Sequence, residues 1–300
     1  MNIVLTGALG HIGKPLTQTL IAKGHSVTVI SSNAGRQHGI EALGATAAIG
    51  SVADVAFLVS AFRNADSVYC MIPPNYSEPD QIGYYERTGS NYATAIRHSG
   101  VKRVVDLSSY GAHLEKGTGV ITGSNRVERA LNAIPGISLT HIRPGYFYYN
   151  LLPFIGMIRQ AGFIGSVYGD DDRLFLVSPD DIADALAEEI TTPDSSNKVR
   201  YVVSDERTCR ETAQILGAAI GIPDLQWKTL PEAKVLASLL GNGIPEGTAR
   251  SLVELGAAIH SGILQEDYER NKPVAMGKVK LTDFAKEFAM AYRNSESKTT

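Results

Sequence analysis

Residues 6–13 read TGALGHIG, directly after the apolar run MNIVL, and place Gly7, Gly10 and Gly13 at G-x-x-G-x-x-G spacing. Glycines that follow a strand and open a helix let the chain turn tightly and set bare amides and the helix dipole against a pyrophosphate. Thr6, His11 and Ile12 flank that contact, and the missing side chain at Gly13 allows close helix–strand packing. Because the spacing is looser than G-x-G-x-x-G, a plain glycine-rich turn is the alternative. The second strand ends in Ile30-Ser31-Ser32-Asn33-Ala34-Gly35-Arg36, which contains no Asp or Glu. A carboxylate there would bind both ribose hydroxyls and repel a 2′-phosphate. The hydroxyls of Ser31 and Ser32, the amide of Asn33 and the guanidinium of Arg36 can donate to one instead, which predicts NADP(H) over NAD(H). Arg36 as a solvated helix-start residue is the alternative.

Ligands of open parallel sheets sit beyond the carboxyl ends of the strands, which directs attention to the residues just after each strand. They are Met71–Tyr76, Ser108–Tyr110 and Pro144–Asn150. Met71 and Pro73 would pass the nicotinamide ribose, and Tyr76 could present its ring or hydroxyl to a substrate or simply lie on the surface. Ser108 or Ser109 could hydrogen-bond the carboxamide or the acceptor oxygen, or satisfy local backbone. In GYFYYN, the side chains of Tyr146, Phe147 and Asn150 are wall candidates for a planar aromatic acceptor, with core packing as the competing use of these rings. Asp170-Asp171-Asp172 lacks the spaced oxygen ligands of a cation loop and reads as a turn, and no histidine has metal-site spacing, so no metal is expected.

The elements that must position these residues follow from periodicity. MNIVL, HSVTVI, TAAIG, SVYCMI, VKRVVDL and ISLTHI (137–142) read as strands. Amphipathic stretches near His11–Lys23, Gly35–Leu43, Asp54–Phe62, Asp80–Ser99 and Gly123–Ala133 separate them. Such alternation demands crossover connections, hence an α/β fold with a doubly wound parallel sheet covered on both faces. After Arg143 a helix near Leu151–Gln160, strand-like pieces flanking GDDD, a helix at SPDDIADALAEEI and a strand at KVRYVV precede mostly helical sequence. This predicts a dinucleotide-binding domain over 1–150 and a smaller, helix-rich substrate-covering region over 151–293 that returns at least one strand to the sheet. Residues 294–300 read as a frayed tail.

Composition narrows the function classes. The 300 residues are 44% hydrophobic and 20% charged with a net charge of −3, so no basic excess points to nucleic acid. No apolar stretch approaches membrane-spanning length, and no leader pattern is evident, so a cytoplasmic protein is expected. With only two cysteines, no disulfide framework or Cys-based metal site is suggested. A small-molecule substrate is the expected partner, with the chain a monomer or homodimer.

The segments TGALGHIG, MIPPNY, NYATAIRHSGVKRVVDLSSYGA and RVERALNAIPGISLTHIRPGYFYYN together resemble the NmrA-like branch of the atypical short-chain dehydrogenase/reductases, near its quinone reductase and triphenylmethane reductase-like members. The C-terminal GNGIPEGTARSLVELGAAIHSGIL is similar to their helical lid segment. The resemblance covers most of the chain and implies an NADP-binding Rossmann domain with a small substrate-facing C-terminal region. The superfamily's usual catalytic pair, Tyr-x-x-x-Lys, occurs only as Tyr268 and Lys272, far past the strands and directly before Pro273. Where relatives carry the lysine, this chain reads Gly123-Ser124-Asn125-Arg126-Val127-Glu128. The expectation is therefore a reductase passing hydride from NADPH to a quinone or similar conjugated acceptor, which needs positioning more than a strong protein acid. A non-catalytic NADP(H)-binding redox sensor is the alternative, and a carbonyl or imine reductase with an unconventional donor a third.

Overall fold

The computed structural model describes residues 1–75, 77–192, 197–273 and 275–296. Its first stretch alternates strand and helix: β1 Asn2–Leu5, α1 Gly13–Ala22, β2 Ser26–Ser31, α2 Gln37–Glu41, β3 Thr46–Ile49, α3 Val55–Phe62, β4 Ser67–Cys70, α4 Gln81–Ser99, β5 Arg103–Leu107, α5 Ile121–Asn132 and β6 Ser138–Pro144. Then follow β7 Tyr146–Phe147, α6 Phe154–Ala161, β8 Ile164–Ser166, β9 Arg173–Val177, α7 Pro179–Thr191, β10 Lys198–Val202, β11 Asp205–Thr208 and α8 Cys209–Ile220. The chain ends in β12 Trp227–Thr229, α9 Glu232–Gly241, α10 Glu246–His260, α11 Gln265–Arg270 and α12 Leu281–Glu296. Residues 294–296 thus belong to a helix, and 297–300 lie outside the described residues.

The chain forms two compact units, neither continuous in sequence. One comprises Met1–Glu115, Ile121–Arg143 and Ile182–Arg200; the other Lys116–Val120, Pro144–Asp181 and Tyr201–Thr300. The main sheet has the order β10-β6-β5-β4-β1-β2-β3, with parallel pairing from β6 through β3. It is the doubly wound sheet that the alternation predicts, and the strand at KVRYVV returns to its edge. Strand order reverses at β1, which lies between β2 and β4, and the carboxyl ends of these strands flank the topological switch point where such sheets take ligands.

Local sequence explains where the helices of the first unit begin and how closely they pack. Asp54 and Asp80 cap α3 and α4 by accepting the amides of Phe57 (3.0 Å) and Gly83 (2.9 Å), and Gly100 ends α4 in the left-handed region. A side chain at Gly89 would meet the Val127 Cα at 3.1 Å, so glycine there lets α4 and α5 approach backbone to backbone. Val4, Leu58, Phe62, Val68, Tyr92, Val104 and Leu131 lie in the core this packing encloses.

The second unit has its own core, with Tyr148, Leu176, Leu216, Trp227 and Phe288 among the buried residues. Around it lie the sheet β11-β9-β7 and the pair β12-β8. Asp181, in the first turn of α7, is buried, and its carboxylate accepts the Lys278 amide (2.8 Å), the Val279 amide (3.1 Å) and the Ser204 hydroxyl (2.6 Å). It clamps segment 277–279 in place, a tertiary role beyond the favourable dipole interaction that an acidic helix start implies.

Candidate functional site

The loop after β1 is held open by its own backbone. Gly7 has φ +92° and a side chain there would strike Met71 Sδ at 2.4 Å; Ala8 has φ +54° and donates its amide to Ile30 O at 3.1 Å. A Cβ at Gly13 would lie 2.1 Å from the Ala8 carbonyl oxygen, so this glycine is required by the loop folding back on itself, not by the helix–strand contact expected from the sequence. Gly10 differs. It is exposed, its φ is outside the left-handed region, and the nearest atom to an added Cβ is Gly7 O at 3.9 Å. The protein's own packing therefore leaves room at Gly10 that a side chain would fill.

That room lies at an uncapped helix start. No side chain caps α1, and among the described residues the amides of Gly10, Ile12 and Gly13 have no acceptor in the protein. Free amides at the positive end of a helix form an anion site, and the residues present fit a dinucleotide's pyrophosphate. His11 is exposed in the same loop. Thr6, by contrast, is buried, its hydroxyl accepting the Met71 amide at 2.9 Å and donating to Met71 O at 3.4 Å, so it ties the ends of β1 and β4 together.

At the end of β2 the predicted donors divide. Ser31 is buried and turned onto its own chain, accepting the Asn33 amide and donating to the Asn33 carbonyl, each at 3.2 Å. Asn33 caps the short turn Ala34–Arg36 by accepting the Gly35 amide at 2.9 Å, which leaves its side-chain NH₂ as a donor. Ser32 and Arg36 are exposed, and their side chains have no partner among the described residues. The ordered turn thus presents a hydroxyl and a guanidinium to solvent where a ribose would arrive.

Beyond β4, two tyrosines of α4 fix the segment that would pass the nicotinamide ribose. Tyr92 donates to Met71 O at 2.6 Å and Tyr84 to Pro73 O at 2.9 Å. Burial raises both phenols above the usual tyrosine range, which suits fixed donors rather than proton carriers. Tyr76 lies outside the described residues.

Beyond β5 stands a buried network that sequence reasoning did not assemble. Ser108 donates to Glu128 Oε1 at 2.5 Å. Arg143 grips the same carboxylate with Nε on Oε1 (2.9 Å) and Nη2 on Oε2 (2.6 Å). All three residues are under 9% exposed. Burial alone would raise the Glu128 carboxyl, but the Arg143 hydrogen bonds, the charges of His141 and Arg143 and the Ser108 hydroxyl outweigh it and hold the group below the usual carboxylate range. One pair along the same strands, Asp106 and His141 face each other across β5 and β6 at 2.9 Å, with Asn132 on the other ring nitrogen at 3.2 Å. Burial wins at Asp106 and raises its carboxyl. Ser109 donates its hydroxyl to the Tyr110 carbonyl at 3.1 Å. Glu128 lies on the buried face of α5, where a carboxylate needs a cation, but its neighbours Ser124 and Asn125 on that face are polar, so no apolar stripe signals its burial in the sequence.

The second unit holds the remaining candidates. Tyr146 accepts the Tyr168 hydroxyl at 3.1 Å and donates to Asn150 O at 3.4 Å, and burial pushes its phenol up to about 12. Phe147 stacks on Tyr149 with ring centroids 5.0 Å apart, and Asn150 is exposed. Tyr148 is core, stacked on Phe284 and donating to Val279 O. Tyr268 is core as well: it donates to Glu206 Oε1 at 2.7 Å and packs on Phe175, while Lys272 binds Glu269 at 3.1 Å. Burial and the Glu206 carboxylate push the Tyr268 phenol up, opposite to what a catalytic Tyr-Lys pair requires. Each Asp of the 170–172 turn has a different partner: Thr229, Arg210 and His260 respectively.

Comparison with known proteins places the fold. An NAD(P)H azoreductase of Xenophilus azovorans is 25% identical over 258 residues, 85% of this chain and 86% of its own. The NADPH-dependent quinone oxidoreductase of Escherichia coli, solved with NADPH, superposes with a TM-score of 0.82 at 22% identity over 95% of this chain and 99% of that one. Triphenylmethane reductase of Citrobacter sp. gives 0.81 at 20% identity over 97% and 100%. The two structures share the fold. Residues 1–288, which contain the glycine loop, the whole main sheet and the Ser108–Glu128–Arg143 network, match the model of the NmrA-like family, and the chain belongs to that family.

Proposed function

We propose that this protein is an NADPH-dependent reductase acting on a quinone or a similar conjugated acceptor. The observation that carries the reading is the loop at Gly10: an exposed glycine with space for a methyl group, beside unpaired amides at the start of an uncapped helix. Open space at this glycine beside unpaired amides lets a ligand's phosphates approach the backbone. Three similar proteins, named for azo, quinone and triphenylmethane reduction, support the acceptor class.

When bound, the dinucleotide would supply hydride from C4 of its nicotinamide. The chain's own part is to bind and orient. Gly10, Ile12 and Gly13 would hold the pyrophosphate by their amides; Ser32, the Asn33 NH₂ and Arg36 would receive a 2′-phosphate, which favours NADP(H) because no carboxylate at 30–36 opposes it. Met71 and Pro73 would bound the ribose from a segment fixed by Tyr84 and Tyr92. Neither Tyr268 nor Tyr146 is disposed to give up its proton, since both phenols are raised. A quinone tolerates this, because the anion formed by hydride addition takes its proton from water.

Steady-state oxidation of NADPH against a panel of quinones, azo and triphenylmethane dyes and simple ketones tests the reading. Turnover confined to conjugated acceptors is expected. Tight NADPH binding with no turnover on any of them would replace it with a redox-sensing role, and turnover on ketones would mark a carbonyl reductase.

A further inference from the structure

The bonding of Ser108 dictates which way its hydroxyl can act. A serine hydroxyl has one proton and two lone pairs, whereas an ionised carboxylate only accepts. Glu128 is gripped through both oxygens by Arg143, whose guanidinium is always charged, so the carboxylate is an anion and the 2.5 Å contact takes the Ser108 proton. Turning that proton outward would leave Glu128 short of a donor inside a buried site. Ser108 is also fixed along the strand, its amide donating to Ile142 O at 2.8 Å. What remains to offer a ligand is the pair of lone pairs on Oγ.

The position of Ser108 in the sheet says which ligand group meets it. It directly follows β5, and β4 lies between β5 and β1. With the pyrophosphate on the loop after β1 and the 2′-phosphate at the end of β2, the other half of an extended dinucleotide runs the opposite way, past β4 toward β5. Two strand spacings amount to about 10 Å. We infer that Ser108 accepts a hydrogen bond from the carboxamide NH₂ of the nicotinamide, with Glu128 and Arg143 as positioning residues that fix its polarity. This rests on the dinucleotide reading above. It assigns Ser108 to cofactor orientation and excludes it as proton donor to the acceptor oxygen.

Calorimetric titration with NADPH and with the reduced nicotinic-acid analogue, which carries a carboxylate in place of the carboxamide, tests the inference without turnover. The wild-type protein should bind the carboxamide form at least about tenfold more tightly, because a carboxylate would face lone pairs and no proton. In Ser108→Ala, which leaves the Arg143–Glu128 pair intact, NADPH affinity should fall about tenfold and the preference should shrink toward unity. Equal wild-type affinities, or a preference unchanged in Ser108→Ala, would overturn the assignment while leaving the cofactor reading standing. A wild-type protein that binds neither nucleotide would overturn both.

Discussion

On the proposed reading Gly10 serves a ligand and Gly13 the fold, so alanine at each should give opposite results. In Gly13→Ala the new methyl lies 2.1 Å from the Ala8 carbonyl oxygen and 3.2 Å from its carbon, both backbone atoms that move only with the loop. Overpacking of this kind costs about 1–3 kcal/mol, which in a chain of this size lowers the melting temperature by several degrees at about 2–4 °C per kcal/mol. In Gly10→Ala the nearest atom is 3.9 Å away and the backbone is outside the left-handed region, so stability should stay within about 0.5 kcal/mol of wild type. Binding should suffer all the same. A methyl at Gly10 holds a phosphate off the amides of Gly10, Ile12 and Gly13, and each hydrogen bond to a charged group is worth about 1.5–3 kcal/mol. Weakening even one predicts a rise in the NADPH Kd of roughly 10- to 100-fold, at about 1.4 kcal/mol per factor of ten. Thermal melts alongside fluorescence titration of NADPH measure both quantities on the same samples. A Gly10→Ala protein that melts like wild type and binds NADPH with unchanged affinity would refute the assignment of this loop as the phosphate cradle.

Arg36→Ala should weaken NADPH by about tenfold or more while leaving NADH affinity within twofold, since the exposed guanidinium has no structural partner to lose among the described residues; equal losses for both nucleotides would show that it does not meet the 2′-phosphate. Tyr268→Phe removes the hydroxyl from Glu206 and should cost about 1 kcal/mol of stability with no change in kcat, a result read from a denaturant melt and an NADPH-oxidation assay. Glu128→Gln should destabilise by about 3–5 kcal/mol at neutral pH, because Arg143 is left buried without its counter-charge. The folded-state carboxyl of Glu128 lies below its unfolded value, so its stabilisation is complete above the usual carboxylate range and is lost as pH falls through the folded value. The stability gap between wild type and variant should therefore narrow on acidification, and a gap that widens would show that the fold raises this carboxyl instead of lowering it.

The fold was legible because most strands of the main sheet are short, largely apolar runs set off by glycine, proline or a capping aspartate, as at Asp54 and Asp80, and because parallel strands at that spacing leave only crossover helices between them. The glycine loop and the turn after β2 were legible for a related reason: glycine spacing and the lack of a carboxylate at 30–36 are facts about the backbone and about local charge. Side-chain direction was not. With both faces of β2 covered, periodicity does not reveal that Ser31 turns inward onto Asn33 while Ser32 turns out, and only the folded chain divides them. The Ser108–Glu128–Arg143 network was further from reach, because its members come from a strand end, a helix and the next strand. Their meeting depends on the register of β5 against β6 and the depth at which α5 packs. A buried carboxylate nonetheless carries a demand: Glu128 on the buried face of α5 requires a cation and leaves a neighbouring hydroxyl to donate to it. The polarity of Ser108 toward a ligand follows from that demand, so a residue that touches no ligand decides what its neighbour can recognise.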